Sequence, residues 1–415
     1  MLSIVTASVI FLSTGFLSTG AGALAATPTQ ACDDLQHAVA AAPSGAVLLP
    51  SFPDAPDGPL HQAAFLYDNA ASVLALLGCG DAVAARRIGD ALVYAQSHDR
   101  FWHDGRLRNG YAAGPVGSDV MKLAGWWDKA SQSWLEDRYQ AGSDSGNLAW
   151  AMLALLALDQ SSAMPGKSVY LDSAIQLATW LRQHRDTLTD DGDPGGFRGG
   201  TFGHEPKPEI VTWKSTEHNT DLAAAYAWLA KITGDSGWTS DAIAASTFVT
   251  AMWQEDKSCF ATGTGADGKS RNNFVALDAQ IWPLLALPAA TTKRDAITRR
   301  CLPRLMQKTD LGDGYAYSAV LHGIWTEGTA QAALLIHLTG DTAQATALLA
   351  TLSKLHAPAC GFYATDQADL PTGFMLLTDP GKPRFYFHLR HLGATAWVAL
   401  AQRGFNPFTA TQGLP

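Results

Sequence analysis

Six times along this chain, a nearly wholly apolar helix opens on a turn crowded with polar residues. The fullest case is Trp213-Lys214-Ser215-Thr216-Glu217-His218-Asn219-Thr220-Asp221. It runs into Leu222, Ala225, Tyr226, Leu229 and Ile232 at helical spacing and stops at Thr233-Gly234-Asp235. Ser215 or Thr216 is the N-cap, because a side-chain oxygen there satisfies an amide of the first turn that has no partner within the helix. The other openings are Tyr67-Asp68-Asn69, Asp144-Ser145-Gly146-Asn147, Leu277-Asp278-Ala279-Gln280, Trp325-Thr326-Glu327-Gly328-Thr329-Ala330-Gln331 and His388-Leu389-Arg390-His391.

A second helix follows each of the first five after a short connection, as at Gly78-Cys79-Gly80-Asp81 and Thr339-Gly340-Asp341. The pattern predicts helices over 60–77 and 82–97, 148–158 and 168–185, 217–233 and 238–254, 277–288 and 292–307, 325–339 and 342–356, and 392–402. The first member of each pair is apolar all round, as a helix buried on every side must be. The second mixes in Arg, Lys, Asp and Gln and is half exposed. The first helices therefore form an inner ring and the second an outer one. Inner helices run parallel, so their N-terminal ends and the long inter-pair loops collect on one face. The sixth inner helix has no partner after it, and the segment Thr29 to Ala42 is expected to pack there and close the ring.

The chain has 415 residues, 47% hydrophobic and 16% charged, enough for a large core and too apolar for disorder. A net charge of -9 and the lack of any long basic run exclude a nucleic-acid or anionic-membrane surface. Residues 1–26 read as an export signal: apolar, small and ending in Ala23-Leu24-Ala25-Ala26, although the usual positive start is missing. Residues 27–58 are an N-terminal segment and linker, and 59–415 form the helical body. The mature protein is expected in the periplasm or outside the cell, free of the membrane. Five cysteines then meet oxidising conditions. Cys32–Cys79 and Cys259–Cys301 are possible pairs, with buried free thiols as the alternative. The sequence does not define an oligomeric state.

The carboxylates at the helix openings are the chemical candidates. Glu217 and Glu327 lead, since two carboxyls flanking a scissile bond can act as acid and as base or nucleophile. Asp68 and Asp278 come next, Asp68 between Tyr67 and Asn69 as hydrogen-bonding neighbours and Asp278 in apolar surroundings that raise its pKa. Asp144 is read as a cap, and Asp221 as a residue that orients a neighbour. Each of these acids can equally be a helix-stabilising first-turn residue and nothing more. Thirteen tryptophans allow stacking on sugar faces as well as core packing. The substrate-contact candidates are Trp102, Asp104, Arg106 and Asn109 of the first long loop, Trp126, Asn147, Trp213, His218, Tyr317, Trp325 and His391. Trp282 is expected in the core. Phosphate loops, dinucleotide sites, nucleophile elbows and zinc clusters are absent, so no cofactor and no metal is predicted. A calcium site through Asp186, Asp190, Asp191 and Asp193 is a weaker reading than a solvated acidic loop.

Six parallel inner helices, antiparallel outer partners and acids at the inner N-termini resemble the (α/α)6 toroid of the six-hairpin glycosidase superfamily, from about Leu60 to Gln402. Tyr67-Asp68-Asn69, Ser215-Thr216-Glu217-His218-Asn219 and Glu327-Gly328-Thr329-Ala330-Gln331 look like motifs of its bacterial members. They align with the catalytic motif of no single numbered family, so no catalytic role is carried over. The resemblance implies an all-α toroid and a carbohydrate-active enzyme, in the first instance an exported glycoside hydrolase acting on a polysaccharide or oligosaccharide. The alternatives are a polysaccharide lyase using Tyr111, His218, Arg106 and Asn219, a non-catalytic glycan-binding toroid in which Glu217 and Glu327 are far apart or paired with arginine, and a sugar epimerase.

Overall fold

The computed structural model describes residues 29–117, 119–162, 166–188, 192–319, 323–376 and 381–414. The expected signal segment, Asp190 and Asp191 lie outside the described residues. Six inner helices, Leu66–Gly78, Ser145–Gln160, Thr216–Thr233, Asp278–Ala286, Thr326–Leu338 and Leu392–Arg403, each pack on the next. Leu392–Arg403 packs back on Leu66–Gly78 and closes an (α/α)6 toroid. Every residue from Thr326 to Ile336 is buried, as is every residue of Asp278–Ala286. The apolar all-round pattern of these helices is therefore the signature of enclosure.

The outer partners are Ala82–Ser97, Val169–Arg182, Ser236–Ala251 and Thr342–Ser353. Three of the tight connections share one device. Gly80, Gly234 and Gly340 adopt φ of 83°, 72° and 101°, which costs only glycine nothing. The aspartate that follows each caps the next helix, Asp81 on Ala84 N, Asp235 on Gly237 N and Asp341 on Gln344 N. The fourth outer partner departs from the expected helix over 292–307. Residues Pro288–Arg304 form a broken run of 3₁₀, α and π turns, in a segment where Pro288 and Pro303 each lack an amide donor. The helix Gln30–Ala41 fills the sixth outer position, against Leu392–Arg403. Disulfides Cys32–Cys79 and Cys259–Cys301 tie it to the end of the first inner helix and tie the broken segment to the loop before the fourth; Cys360 is free and exposed.

The long loops carry short antiparallel strand pairs, which helical periodicity does not announce. The largest is Asp369–Met375 with Pro383–Phe387. A repeated clamp fixes these loops to the ring. Count each inner helix from its first residue, and the fourth from Leu277, whose backbone is already helical. The fourth residue is then Asn69, Asn219, Gln280, Thr329 or Thr395 in five of six helices. Asn69 accepts from Leu49 N (2.8 Å) and donates to Leu49 O (3.0 Å). Asn219 does the same to Phe197 (2.8 and 3.0 Å), and Gln280 to Phe260 (2.7 and 2.9 Å). Thr329 grips Tyr315 with one hydroxyl, and Thr395 accepts from Phe362 N. In the second helix Leu148 stands at this position, and Asn109 of the loop reaches in instead, accepting from Asp144 N and Asn147 Nδ2. Buried loop amides need such partners. Asn69 and Asn219, which the sequence placed beside or within the chemistry, are therefore loop clamps.

Asn219→Ala strands both polar groups of Phe197. We expect a loss of about 1–3 kcal/mol per group left unpaired, read as a lower urea midpoint at unchanged m-value.

Candidate active site

The inner N-termini open onto a cavity of about 810 Å³ on the loop face. The second residues of five inner helices line it: Tyr67, Gly146, Glu217, Asp278 and Glu327. The sixth is Gly393. Gly146 and Gly393 leave room for neighbouring side chains. A Cβ on Gly146 would sit 2.4 Å from the His218 ring, and one on Gly393 would sit 2.6 Å from Asp68 Oδ1. Trp150 and Trp282 line the cavity and are backed by Trp397 and Phe408, with ring centroids 5.2–6.0 Å apart in the Trp150–Trp282, Trp150–Trp397 and Trp282–Trp397 pairs. Trp282 is core, as its place one turn past Asp278 implies, and also forms part of this lining.

On one side Glu217 and Asp278 crowd together, and their interaction favours the protonated form of Glu217 and the ionised form of Asp278. Burial, then Asp278 and Asp221, hold Glu217 well above the usual carboxylate range. Burial lifts Asp278 to about 6, against the opposing pull of the Ala279 amide and Glu217. Asp221 lies one turn deeper and is raised by burial and by Asp278 and Asp144. Of this group Glu217 is the most open, its side chain 30% accessible because it faces the cavity. Asp144 caps its helix on Gly146 N and also lies 3.3 Å from His218 Nε2, so it is more than a cap.

On the other side Glu327 Oε1 accepts from the Tyr67 hydroxyl, which in turn accepts from Trp397 Nε1 at 2.6 Å. Tyr67 thus serves Glu327 and not Asp68. His391 lies 3.2 Å from Asp68 through Nε2 and 3.9 Å from Glu327 through Nδ1. Ala394 N donates to Nδ1, which leaves Nε2–H for Asp68. Phe52 stacks on the imidazole at 4.5 Å. Burial opposes the charge on His391, yet Asp68 and Glu327 outweigh it and raise its pKa. Burial pushes Glu327 up to about 7, while His391 and the Tyr67 bond favour its ionised form.

All four carboxyl candidates, Asp68, Glu217, Asp278 and Glu327, thus share one cavity. Asn147, Trp213, His218, Tyr317, Trp325 and His391 line it as well. Asn147 is held by Asn109 and the Tyr139 hydroxyl, and Trp325 is a wall residue, 2% exposed, between Tyr317 and Tyr386. Five candidates fall elsewhere or act differently. Arg106 pairs with Asp104 and lies 3.7 Å over Trp102 and 4.9 Å from Trp180, out against the outer ring. Asn109 is a buried scaffold residue, and Trp126 sits on a hairpin outside the cavity lining. Asp186 and Asp193 hold the buried Lys214 at 3.1 and 2.5 Å, so these two acids are ion-paired.

The loop reading missed Arg384, Tyr386 and Tyr139. Arg384 and Tyr386 come from the hairpin over 369–387, which overhangs the mouth. The guanidinium of Arg384 is 5.7 Å from the Tyr386 ring, and no described side chain accepts a hydrogen bond from it. Their signal in sequence is slight: an aromatic-rich run, Arg384-Phe385-Tyr386-Phe387, far from any helix opening. The lyase set does not assemble: Tyr111 is buried against Arg108 N, Arg106 is outside the cavity and Asn219 is a clamp. Among the described residues neither Glu217 nor Glu327 forms an ion pair with an arginine, and both line the one cavity.

No protein-family model and no curated protein matches the chain. Solved structures do match it in fold. A family 76 glycoside hydrolase from a bovine Bacteroides thetaiotaomicron strain is 11% identical with a TM-score of 0.58, over 90% of this chain and 77% of that one. A family 76 glycoside hydrolase (mannosidase) from the same species is 12% identical with a TM-score of 0.57, over 90% and 98%. A glutamate-to-alanine variant of a glycosidase in complex with glucose is 14% identical with a TM-score of 0.56, over 90% and 97%. The chain has the (α/α)6 toroid fold of these six-hairpin proteins.

Glu327 makes the site unfavourable for stability, with a definite sign. Its pKa is near 4.5 unfolded and about 7 folded, so between these values the native state binds more protons and stability falls as pH rises. Glu327→Gln removes this dependence. We expect the variant to gain on the wild type by roughly 2–3 kcal/mol from pH 5 to pH 8, measured by urea unfolding at both.

Proposed function

We propose that this protein is a glycoside hydrolase acting on a polysaccharide or oligosaccharide. The observation that carries the proposal is the gathering of four carboxyls on one cavity, where Glu217 is crowded by other acids while Glu327 accepts from the Tyr67 hydroxyl and lies beside His391. Glu217, pressed by Asp278 and Asp221, is kept protonated and is the proton donor to the glycosidic oxygen. Glu327, served by the Tyr67 hydroxyl and the neighbouring His391, is the carboxylate that acts on the other face of the sugar, as nucleophile or as the base for water. Asp68 and His391 position and polarise Glu327. The aromatic walls supply flat apolar surfaces for sugar rings. The toroidal neighbours named glycoside hydrolases and mannosidase make α-mannan the first polymer to test, and the neighbour holding glucose adds a glucan.

An exported protein fits the two disulfides, which persist in oxidising compartments. Its periplasmic or extracellular location is part of the proposal, checked by the mass of the mature N-terminus.

Glu217→Gln and Glu327→Gln are each expected to lower kcat about 10²–10⁴-fold on the polymer that the wild type degrades. An aryl glycoside, whose leaving group needs no proton, restores part of the rate to Glu217→Gln only. Equal rescue of both variants, or no loss in either, rejects the assignment. A second expectation concerns pH. Glu327 must be ionised, so kcat/KM should rise with pH through about 7 and fall again where Glu217 loses its proton. Tyr67→Phe removes a bond to the ionised carboxylate and should move the lower limb upward.

A further inference from the structure

The first long loop carries a hairpin, Gly125–Asp128 paired with Ser133–Glu136, that the proposed chemistry does not use. Its tryptophans are among the most exposed large apolar residues of the protein: Trp127 is 58% and Trp134 60% accessible. They are direct cross-strand partners, so both indoles stand on the same face of the hairpin. Gly125 shares that face, and its missing side chain leaves the space that the Trp134 ring occupies; a Cβ there would lie 2.3 Å from Nε1. Glu136, on the same face, is held by Arg100 at 2.7 Å. The turn is pinned by Asp128, which accepts from Ser131 N (2.7 Å) and Ser131 Oγ (2.6 Å). Trp126 points to the opposite face and is half buried. The tryptophans are therefore displayed on a braced ribbon at a considerable solvation penalty.

The position of the ribbon indicates its occupant. Strand Ser133–Glu136 runs directly into Asp137, a residue of the cavity wall, followed there by Tyr139 and Gln140. Trp134 is three residues from Asp137, at most about 10 Å of extended chain. We propose that Trp127 and Trp134 form a carbohydrate platform outside the cleavage cavity, which binds a polysaccharide chain continuing past the rim. Two side-by-side indoles with a carboxylate at their edge match a run of sugar rings, with apolar faces to stack and hydroxyls to bond. This inference rests on the glycan-active reading of the cavity, but its test is separable from that reading.

The test uses the full chain carrying Glu327→Gln, with and without Trp127→Ala/Trp134→Ala, in native gels containing α-mannan or a soluble glucan. Retardation by at least one polymer that the double substitution weakens about tenfold supports the platform. Trp127→Phe/Trp134→Phe should restore part of it, which a folding defect would not allow. In the Glu327 background, the double variant should leave the rate on a short aryl glycoside unchanged and raise only the half-saturating polymer concentration. No retardation of the parent by any polymer, or equal retardation of the variant, overturns the platform. So does light scattering in which the parent is a dimer and the double variant a monomer, since a second copy would then cover the indoles. Absence of hydrolysis of any short or long glycoside by the wild type fails the cavity reading and not the platform.

Discussion

The loops that build the cavity are long, and their inner ends are buried. A buried amide without a partner costs free energy that a loop cannot recover from packing alone. In five of the six inner helices the ring meets this constraint with one side chain, an amide or hydroxyl one turn in from the start, which grips the N–H and often the C=O of a single loop residue. Asn69, Asn219 and Gln280 do so with two bonds each. Because the clamp sits at a fixed place on each helix, it also fixes which residue faces the axis. Two positions earlier stand Tyr67, Glu217, Asp278 and Glu327. Scaffold and chemistry thus use adjacent positions of the same turn, and the loops can vary in length while the carboxyls stay in register.

Concentrating acids at helix N-termini is eased by the positive end of each helix dipole. It remains unfavourable once the acids are buried together. The molecule divides that burden in two ways. Glu217, crowded by Asp278 and Asp221, is pushed toward its protonated form. Glu327 keeps a tyrosine hydroxyl and a nearby imidazole, itself anchored by Asp68. Burial pushes the same chemical group toward its acid form on both sides, and on the Glu327 side the tyrosine and His391 oppose that push. Perturbed carboxyls of this kind mark functional sites, and the stability they forgo is the usual companion of activity.

The mouth is built by elements of a different character. The hairpin over 369–387 brings Arg384 and Tyr386 across the cavity, and the ribbon over 125–136 displays its indoles beside the rim. Neither contributes to the ring. Both are short strand pairs, suited to adapting the opening to a ligand without disturbing the clamped turns below.

Much of this was legible in sequence. Apolar periodicity and the alternation of short and long connections determined ten helices and their division into rings, while the expected helix over 292–307 is a broken run. Gly-Asp steps marked three of the tight turns, and the helix openings supplied all four cavity carboxyls. These are local signals, set by caps, φ angles and solvent exposure. The sequence did not separate Asn219 from Glu217, two residues apart in one polar turn. Only the direction of each side chain relative to a distant loop makes one a clamp and the other a cavity acid. It likewise placed Trp102, Asp104 and Arg106 with the substrate contacts, since aromatic and charged residues at close spacing read the same whether they face a cleft or an outer helix. The pairing of Tyr67 with Glu327, 260 residues apart, and of His391 with Asp68, 323 apart, exists only because the ring closes. Ring closure juxtaposes the ends of the chain, and no local pattern encodes that.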